Sequence, residues 1–209
     1  MNPPDPLQHF DSPSGFAWAN AIQADDLPRL RQLADSGDPQ AASASGMSPL
    51  RWALECNRPS AFAELLHLGA QPDPLTIHAA LLHPSPRFAQ LLLAAHWNPN
   101  SLDPNQHPWL FTPLLSRNSA AFRLLVENGA DVNASRPDGL TPLIALVSLN
   151  EFELAFYLLE RGADPAPSTS TGASASSRAL AASAVPPHQL VWRQRTIDTL
   201  RFRGFASKS

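Results

Sequence analysis

The sequence predicts an all-α chain: a solenoid of stacked helix-turn-helix layers closed by a C-terminal helical cap. Three observations carry this. Apolar residues recur three or four apart in short runs broken by turn signals, as in LPRLRQLA, AFAELLHL, AFRLLVEN and FELAFYLL. No segment sustains the two-residue alternation of a strand. One phrase also returns at near-regular spacing. Residues 124–133 read LLVENGADVN and residues 158–165 read LLERGADP, with looser copies at 65–73 (LLHLGAQPD) and 92–100 (LLAAHWNPN). The glycine position of the phrase falls at Gly37, Gly69, His96, Gly129 and Gly162, in steps of 32, 27, 33 and 33 residues.

Residues 1–14 carry Pro3, Pro4, Pro6 and Pro13, which remove backbone donors, so a loose extended arm is expected. Five layers should follow at about 15–42, 43–70, 71–100, 101–133 and 134–164. In the first, Trp18, Ala21 and Ile22 face inward, and Asp25, Asp26, Arg29 and Arg31 face outward. In the second and fifth, Ser48-Pro49 and Thr141-Pro142 open the first helix: the hydroxyl caps it, and proline suits a position that needs no donor. Pro49 to Gly69 and Pro142 to Gly162 are both 20 residues. Gly69, Gly129 and Gly162 supply the left-handed residue that ends each second helix. Residues 165–209 should hold a flexible Ser/Ala-rich loop, a degenerate sixth unit around SSRALAA, and a capping helix over 188–203.

The motifs DGLTPL (138–143), GMSPL (46–50) and LL..GAD resemble those of the ankyrin repeat family, whose pattern is D-x-x-G-x-T-P-L-H-x-A-A, a mid-repeat G-H, then L-L-x-x-G-A-D-V-N. The likeness is strong over 136–164, where Ile144 stands for the family's His and Asn150 for its Gly. It is good over 46–70 and degenerate but in phase elsewhere. Counting 20 back from each glycine position starts the first helices at Ala17, Pro49, Thr76, Trp109 and Pro142. Thr112-Pro113-Leu114 is therefore a decoy lying inside a short or kinked helix. The step from Gly69 to His96 is six residues short, which predicts a tight connection without a protruding turn.

Composition narrows the chemistry. The 209 residues have a formal net charge of -3, and hydrophobic residues make up 44%. No apolar run reaches the roughly 18 residues of a membrane span, and residues 1–14 lack the features of a secretory signal. One cysteine, Cys56, excludes an internal disulfide and a multi-cysteine metal site, and is consistent with a cytoplasmic location. Fourteen of the fifteen basic residues are Arg, a bias that suggests a GC-rich bacterial genome. The seven histidines are scattered, with no H-x-x-x-H, G-x-S-x-G or Gly-x-Gly. No metal or cofactor is expected. His78, near the family's motif His, reads as structural, and Cys56 as a structural or surface thiol. Paired carboxylates such as Asp25-Asp26 sit where caps and turns belong. Residues 178–209 carry +5 against -8 for the rest, but Arg193, Arg195, Arg201 and Arg203 spread round the helix, so docking is favoured over nucleic-acid binding.

The resemblance implies a non-catalytic scaffold, monomeric when free, that binds a protein partner on its concave side. That side is built from finger turns and first-helix ends. In phase these are Met47, Glu55 and Cys56; Leu82 and His83; Asn105, His107, Leu115 and Ser116; and Asp138, Leu140, Ser148 and Leu149. An apolar line there is what a protein interface looks like. Inhibitor or immunity protein, adaptor and secreted effector are the candidate roles. The rival is an enzyme with a site in the irregular 70–86 region, near His78 and His83.

Overall fold

The computed structural model describes residues 4–40 and 46–205. These residues are helical throughout apart from turns and two isolated bridges. The chain divides into two compact units, Met1–Asn98 and Pro99–Ser209.

The first unit holds three helix pairs: α1 (Pro13–Ala24) with α2 (Leu27–Ala34), α3 (Pro49–Glu55) with α4 (Pro59–His67), and α5 (Pro74–Leu82) with α6 (Arg87–Ala94). Capping explains the starts. Ser12, Asp26, Ser48 and Asp73 each accept a backbone N–H of the first turn, and each of these helices has proline in its first turn. The third first-helix starts at Pro74, two residues ahead of the expected Thr76, because Asp73 captures the N–H groups of both Leu75 and Thr76. The connection before it is tight, as the short step requires. Burial pushes the Asp73 carboxyl up, but hydrogen bonds from Thr76, Leu75 and Ser48 outweigh that and hold it below the usual range.

The first-unit core is aromatic. Trp52 is wholly buried, and its Nε1 donates to the Ala19 carbonyl at 3.2 Å. Residues 4–14 differ from a loose arm. Pro6–Gln8 form a 3-10 turn capped by Asp5, and buried Phe10 stands edge-on to Trp52 at 5.3 Å. The prolines block an α-helix but not this anchoring.

The second unit also holds three pairs: α7 (Phe111–Leu115) with α8 (Ser119–Glu127), α9 (Pro142–Ser148) with α10 (Phe152–Glu160), and α11 (Ala175–Ala181) with α12 (Leu190–Phe202). Helix α7 is only five residues long and contains Pro113, with Thr112 inside it and not at its cap. The 3-10 bonds from Phe111 N to Pro108 O and from Thr112 N to Trp109 O lead in, so the backbone turns from Pro108 onward. Thr112 is thus no cap, as the decoy reading of Thr112-Pro113-Leu114 expects, but α7 starts at Phe111, two residues after the expected Trp109.

Residues 165–174 are a finger turn and not a structureless loop. Ser168 bridges Ser174, and Thr169 N donates to Ala173 O. A capping box of Ser174 and Ser177 then opens α11, so the serines that suggested flexibility serve as caps. The finger packs on its predecessor: Ser170 N donates to the Asp138 carbonyl at 3.0 Å. Gly139, at φ +79, is part of this contact, since a Cβ there would lie 3.1 Å from the Ser168 carbonyl oxygen.

Second helices bury the residue four before the turn position. Leu65, Leu92, Leu125 and Leu158 are each wholly buried. Leu66 and Leu124, their neighbours in the leucine pairs, are only half-buried, one step round the helix. Gly69, Gly129 and Gly162 have positive φ, and His96 takes the same conformation at φ 62. Gly37 does not share it, because α2 ends at Ala34 with Asp35 still right-handed.

Helix α12 caps the second unit through its arginines. Arg203 donates to the Leu159 and Ala163 carbonyls at 2.7 and 3.2 Å, and Arg193 donates to those of Ala179 and Leu180, both at 3.2 Å. These are C-terminal ends of neighbouring helices, where a cation complements the dipole. Arg195 lies over the Trp192 ring, and Arg201 pairs with Asp198 at 3.9 Å. Phe202 is 93% exposed. Lys208 lies outside the described residues.

Candidate functional site

The residues singled out from the sequence fall on finger turns and first-helix ends within each unit. In the first unit, Met47 is 8% exposed and belongs to the core of its layer. It precedes the Ser48 cap, so it turns inward with Pro49 and Leu50. Glu55 is exposed and lies 3.8 Å from Arg51. Leu82 is 40% exposed at the end of α5. Beside it, His83 is occupied by its own turn: Ser85 N–H donates to Nδ1 at 3.1 Å, and the ring stands on Phe88 at 4.9 Å. His78 is exposed. Cys56 is half-buried, and burial pushes its thiol up against the weaker opposing effects of Gln23 and Arg58. A thiol so placed stays protonated, which is the reverse of an activated nucleophile.

In the second unit the first finger is organised by Asp103, a residue the sequence reading passed over. Its Oδ1 accepts the N–H groups of Asn105 and His107, both at 2.8 Å, and its Oδ2 lies 3.7 Å from His107 Nδ1. The signal was available, since Asp at the start of a D-P-N turn favours this local bonding. Asn105 is exposed at the tip and His107 half-buried. In the next finger, exposed Asp138 accepts Leu140 N–H at 3.2 Å, and Leu140 is half-buried.

The first-helix ends complete this face. Leu115 is 50% exposed at the end of α7, with Ser116 exposed beside it. Ser148 is exposed and Leu149 half-buried at the end of α9. Both serine hydroxyls donate back into their own helices, to Thr112 O at 2.9 Å and Ile144 O at 2.8 Å. The turns that follow link layer to layer. Arg117 lies 3.6 Å from Glu151 and reaches the Leu149 carbonyl, and Asn150 reaches the Ser183 carbonyl, both at 3.5 Å. Asn150 takes φ 60 where the resembled pattern has glycine.

Two grooves accompany these faces. In the first unit, a 400 Å³ groove between α4 and α6 is lined by Leu66, Leu91, alanines, His67 and His96. In the second, a 290 Å³ groove between the ends of α9 and α11 is lined by Ser148, Asn150, Arg178 and Ser183. Among the described residues, no set of three His, Cys, Asp or Glu is placed to hold a metal ion, and no helix is long and apolar enough to cross a membrane.

Comparison with known proteins agrees with this geometry. A family model of ankyrin repeats, in three copies, matches residues 77–168. Residues 77–168 thus match ankyrin repeats, and the fold is the ankyrin-repeat fold. An ankyrin repeat domain from Acinetobacter baumannii is similar at 18% identity, with 90% of this chain and 97% of that one covered and a TM-score of 0.71. The ankyrin repeat domain of Bcl-3, a member of the IkappaB protein family, is similar at 19% identity, with 88% and 97% covered and a TM-score of 0.56. The human ASB11 ankyrin repeat domain is similar at 19% identity, with 87% and 98% covered and a TM-score of 0.58. No match was found among curated protein sequences. Ankyrin repeats generally mediate protein–protein interaction, and their fold is typically a non-catalytic scaffold.

Proposed function

We propose that the chain is a protein-binding scaffold whose second unit engages its partner through the finger turns and first-helix ends. One observation carries this reading: Leu115 is 50% exposed and Leu149 half-exposed on adjacent first helices, although the other leucines of α7 and α9 are buried. Exposed apolar groups beside exposed Ser116 and Ser148, on a unit whose finger turns present Asp138 and Asn105, suit an interface with an apolar centre and polar surroundings. Leu82 and Glu55 present a comparable, smaller face on the first unit. The role is that of an inhibitor, immunity protein or adaptor of cytoplasmic bacterial type, which acts by occupying or tethering its partner. The arginine bias of the sequence supports the bacterial source.

Affinity capture from source lysate with identification by mass spectrometry tests this. The wild-type chain should retain a reproducible protein, and the Leu115→Glu, Leu149→Glu double variant should lose it while its helical circular dichroism persists. Retention by that variant, together with loss on replacing Arg193, Arg195, Arg201 and Arg203, would move binding to the cap.

A further inference from the structure

We propose that the groove between the ends of α9 and α11 seats a carboxylate side chain, aspartate or glutamate, of the protein partner, with Arg178 as its anchor. This rests on the protein-binding reading and adds to it the chemistry of one contact.

The groove is lined by polar side chains, and the one charged group among them is a cation. Ser148 and Asn150 line it from α9 and the following turn; Arg178, Ala181, Ala182 and Ser183 line it from α11 and beyond. No acidic residue is in the lining. Glu151, next in sequence to Asn150, is engaged by Arg117 at 3.6 Å.

Arg178 stands apart from the other arginines of this unit. Arg117, Arg123, Arg136 and Arg201 face carboxylates, Arg193 and Arg203 hold carbonyls, and Arg161 and Arg195 lie over rings. Arg178 is exposed, and its guanidinium has neither hydrogen bond nor ion pair among the described residues. A guanidinium presents its donors in a planar fork that matches a carboxylate.

The competing use of Arg178 is to neutralise the C-terminal carbonyls of its own helix. Those of Ala179 and Leu180 are already held by Arg193. At the end of α9, the carbonyls of Ala145, Leu146 and Val147 accept the N–H groups of Leu149, Glu151 and Asn150. Among the lining residues, the side-chain donors not engaged by the described residues are the Arg178 fork, the second N–H of Asn150 and the Ser183 hydroxyl. Three such donor-bearing residues in one groove, next in sequence to Leu149, suit an anionic group at the edge of an apolar contact.

The test uses the full chain labelled with ¹⁵N and three capped peptides as probes. Acetyl-Gly-Glu-Gly-amide should shift the amide resonances of Ser148, Asn150 and Ser183 in a saturable way. Acetyl-Gly-Gln-Gly-amide should not. Acetyl-Gly-Gly-Gly with a free carboxyl terminus separates a chain end from a side chain. Arg178→Gln should weaken the glutamate response about tenfold or more and leave the rest of the spectrum in place. Equal response to the Glu and Gln peptides, a response that survives Arg178→Gln, or preference for the free terminus would each overturn the proposal. In the capture assay, Arg178→Gln should weaken retention. If it retains the partner as well as wild type does, the subsite is refuted and the scaffold reading stands. If wild type retains nothing, the scaffold reading fails whatever the peptides show.

Discussion

Asn133 grips the backbone on either side of Ala163: its Nδ2 donates to the Gly162 carbonyl at 3.3 Å, and its Oδ1 accepts the Asp164 N–H at 2.8 Å. One layer earlier, Asn100 does the same to Gly129 and Asp131 at 2.9 and 2.7 Å. The asparagine that ends the phrase GADVN thus staples the start of its finger to the next turn. Replacing Asn133 by Ala removes both bonds and should cost about 1–2 kcal/mol, read as a lower urea midpoint with an unchanged slope. Asn133→Asp keeps the acceptor and loses the donor, so it should fall between. A midpoint equal to wild type for both variants would show that the staple contributes nothing.

Leu125 is wholly buried in α8. Leu125→Ala should destabilise the chain by about 2–5 kcal/mol, through lost transfer energy and the cavity left behind. Leu124→Ala, one step round the helix and half-buried, should cost clearly less. Equal costs, or a larger cost for Leu124→Ala, would contradict this burial order.

Asp73 links acidity to stability. Its folded carboxyl sits below the ordinary value because four hydrogen-bond donors favour the charged form. The stability this contributes is fully present above the unfolded value of about 3.9 and is lost as pH falls through the folded value. Asp73→Asn should therefore flatten part of the fall in denaturant midpoint below about pH 4. An acid profile unchanged by the substitution would assign that fall to other carboxylates.

Gly139 combines a positive φ with close backbone on its open side. Gly139→Ala should cost more than about 1 kcal/mol, and should raise proteolytic nicking within residues 165–174 before other segments. Uniform nicking would separate the glycine from the packing of that finger.

The starts at Pro49 and Pro142 were legible because Ser48 and Thr141 announce themselves as caps, whereas Ala17, Thr76 and Trp109, counted from the turn position alone, missed the observed starts at Pro13, Pro74 and Phe111. The core residue was less so. An adjacent leucine pair does not say which member points inward until the neighbouring helix is placed, as Leu65 and Leu66 show. Met47 read as surface because a fixed offset ignores how the cap turns the chain. The 165–174 finger was hidden by composition, since serine serves a linker and a capping box equally well. For the candidate face, Leu115 and Leu149 could be placed by phase, whereas the role of Asp103 and the Arg178 groove depend on distances no spacing rule contains.

In the second unit, the side-chain bonds between layers join consecutive layers: residues 29 apart from Asn133 to Gly162, 33 from Asn150 to Ser183, 36 from Glu153 to Gln189 and 44 from Arg203 to Leu159. A chain wired only to its nearest neighbour folds like a zipper and has no central keystone. Damage at one rung raises the chance of opening there and at the adjoining rung, and is felt little beyond. Length is then adjustable: a duplicated or deleted repeat inherits its junctions ready-made, so such a scaffold can be resized by whole repeats without redesigning what remains.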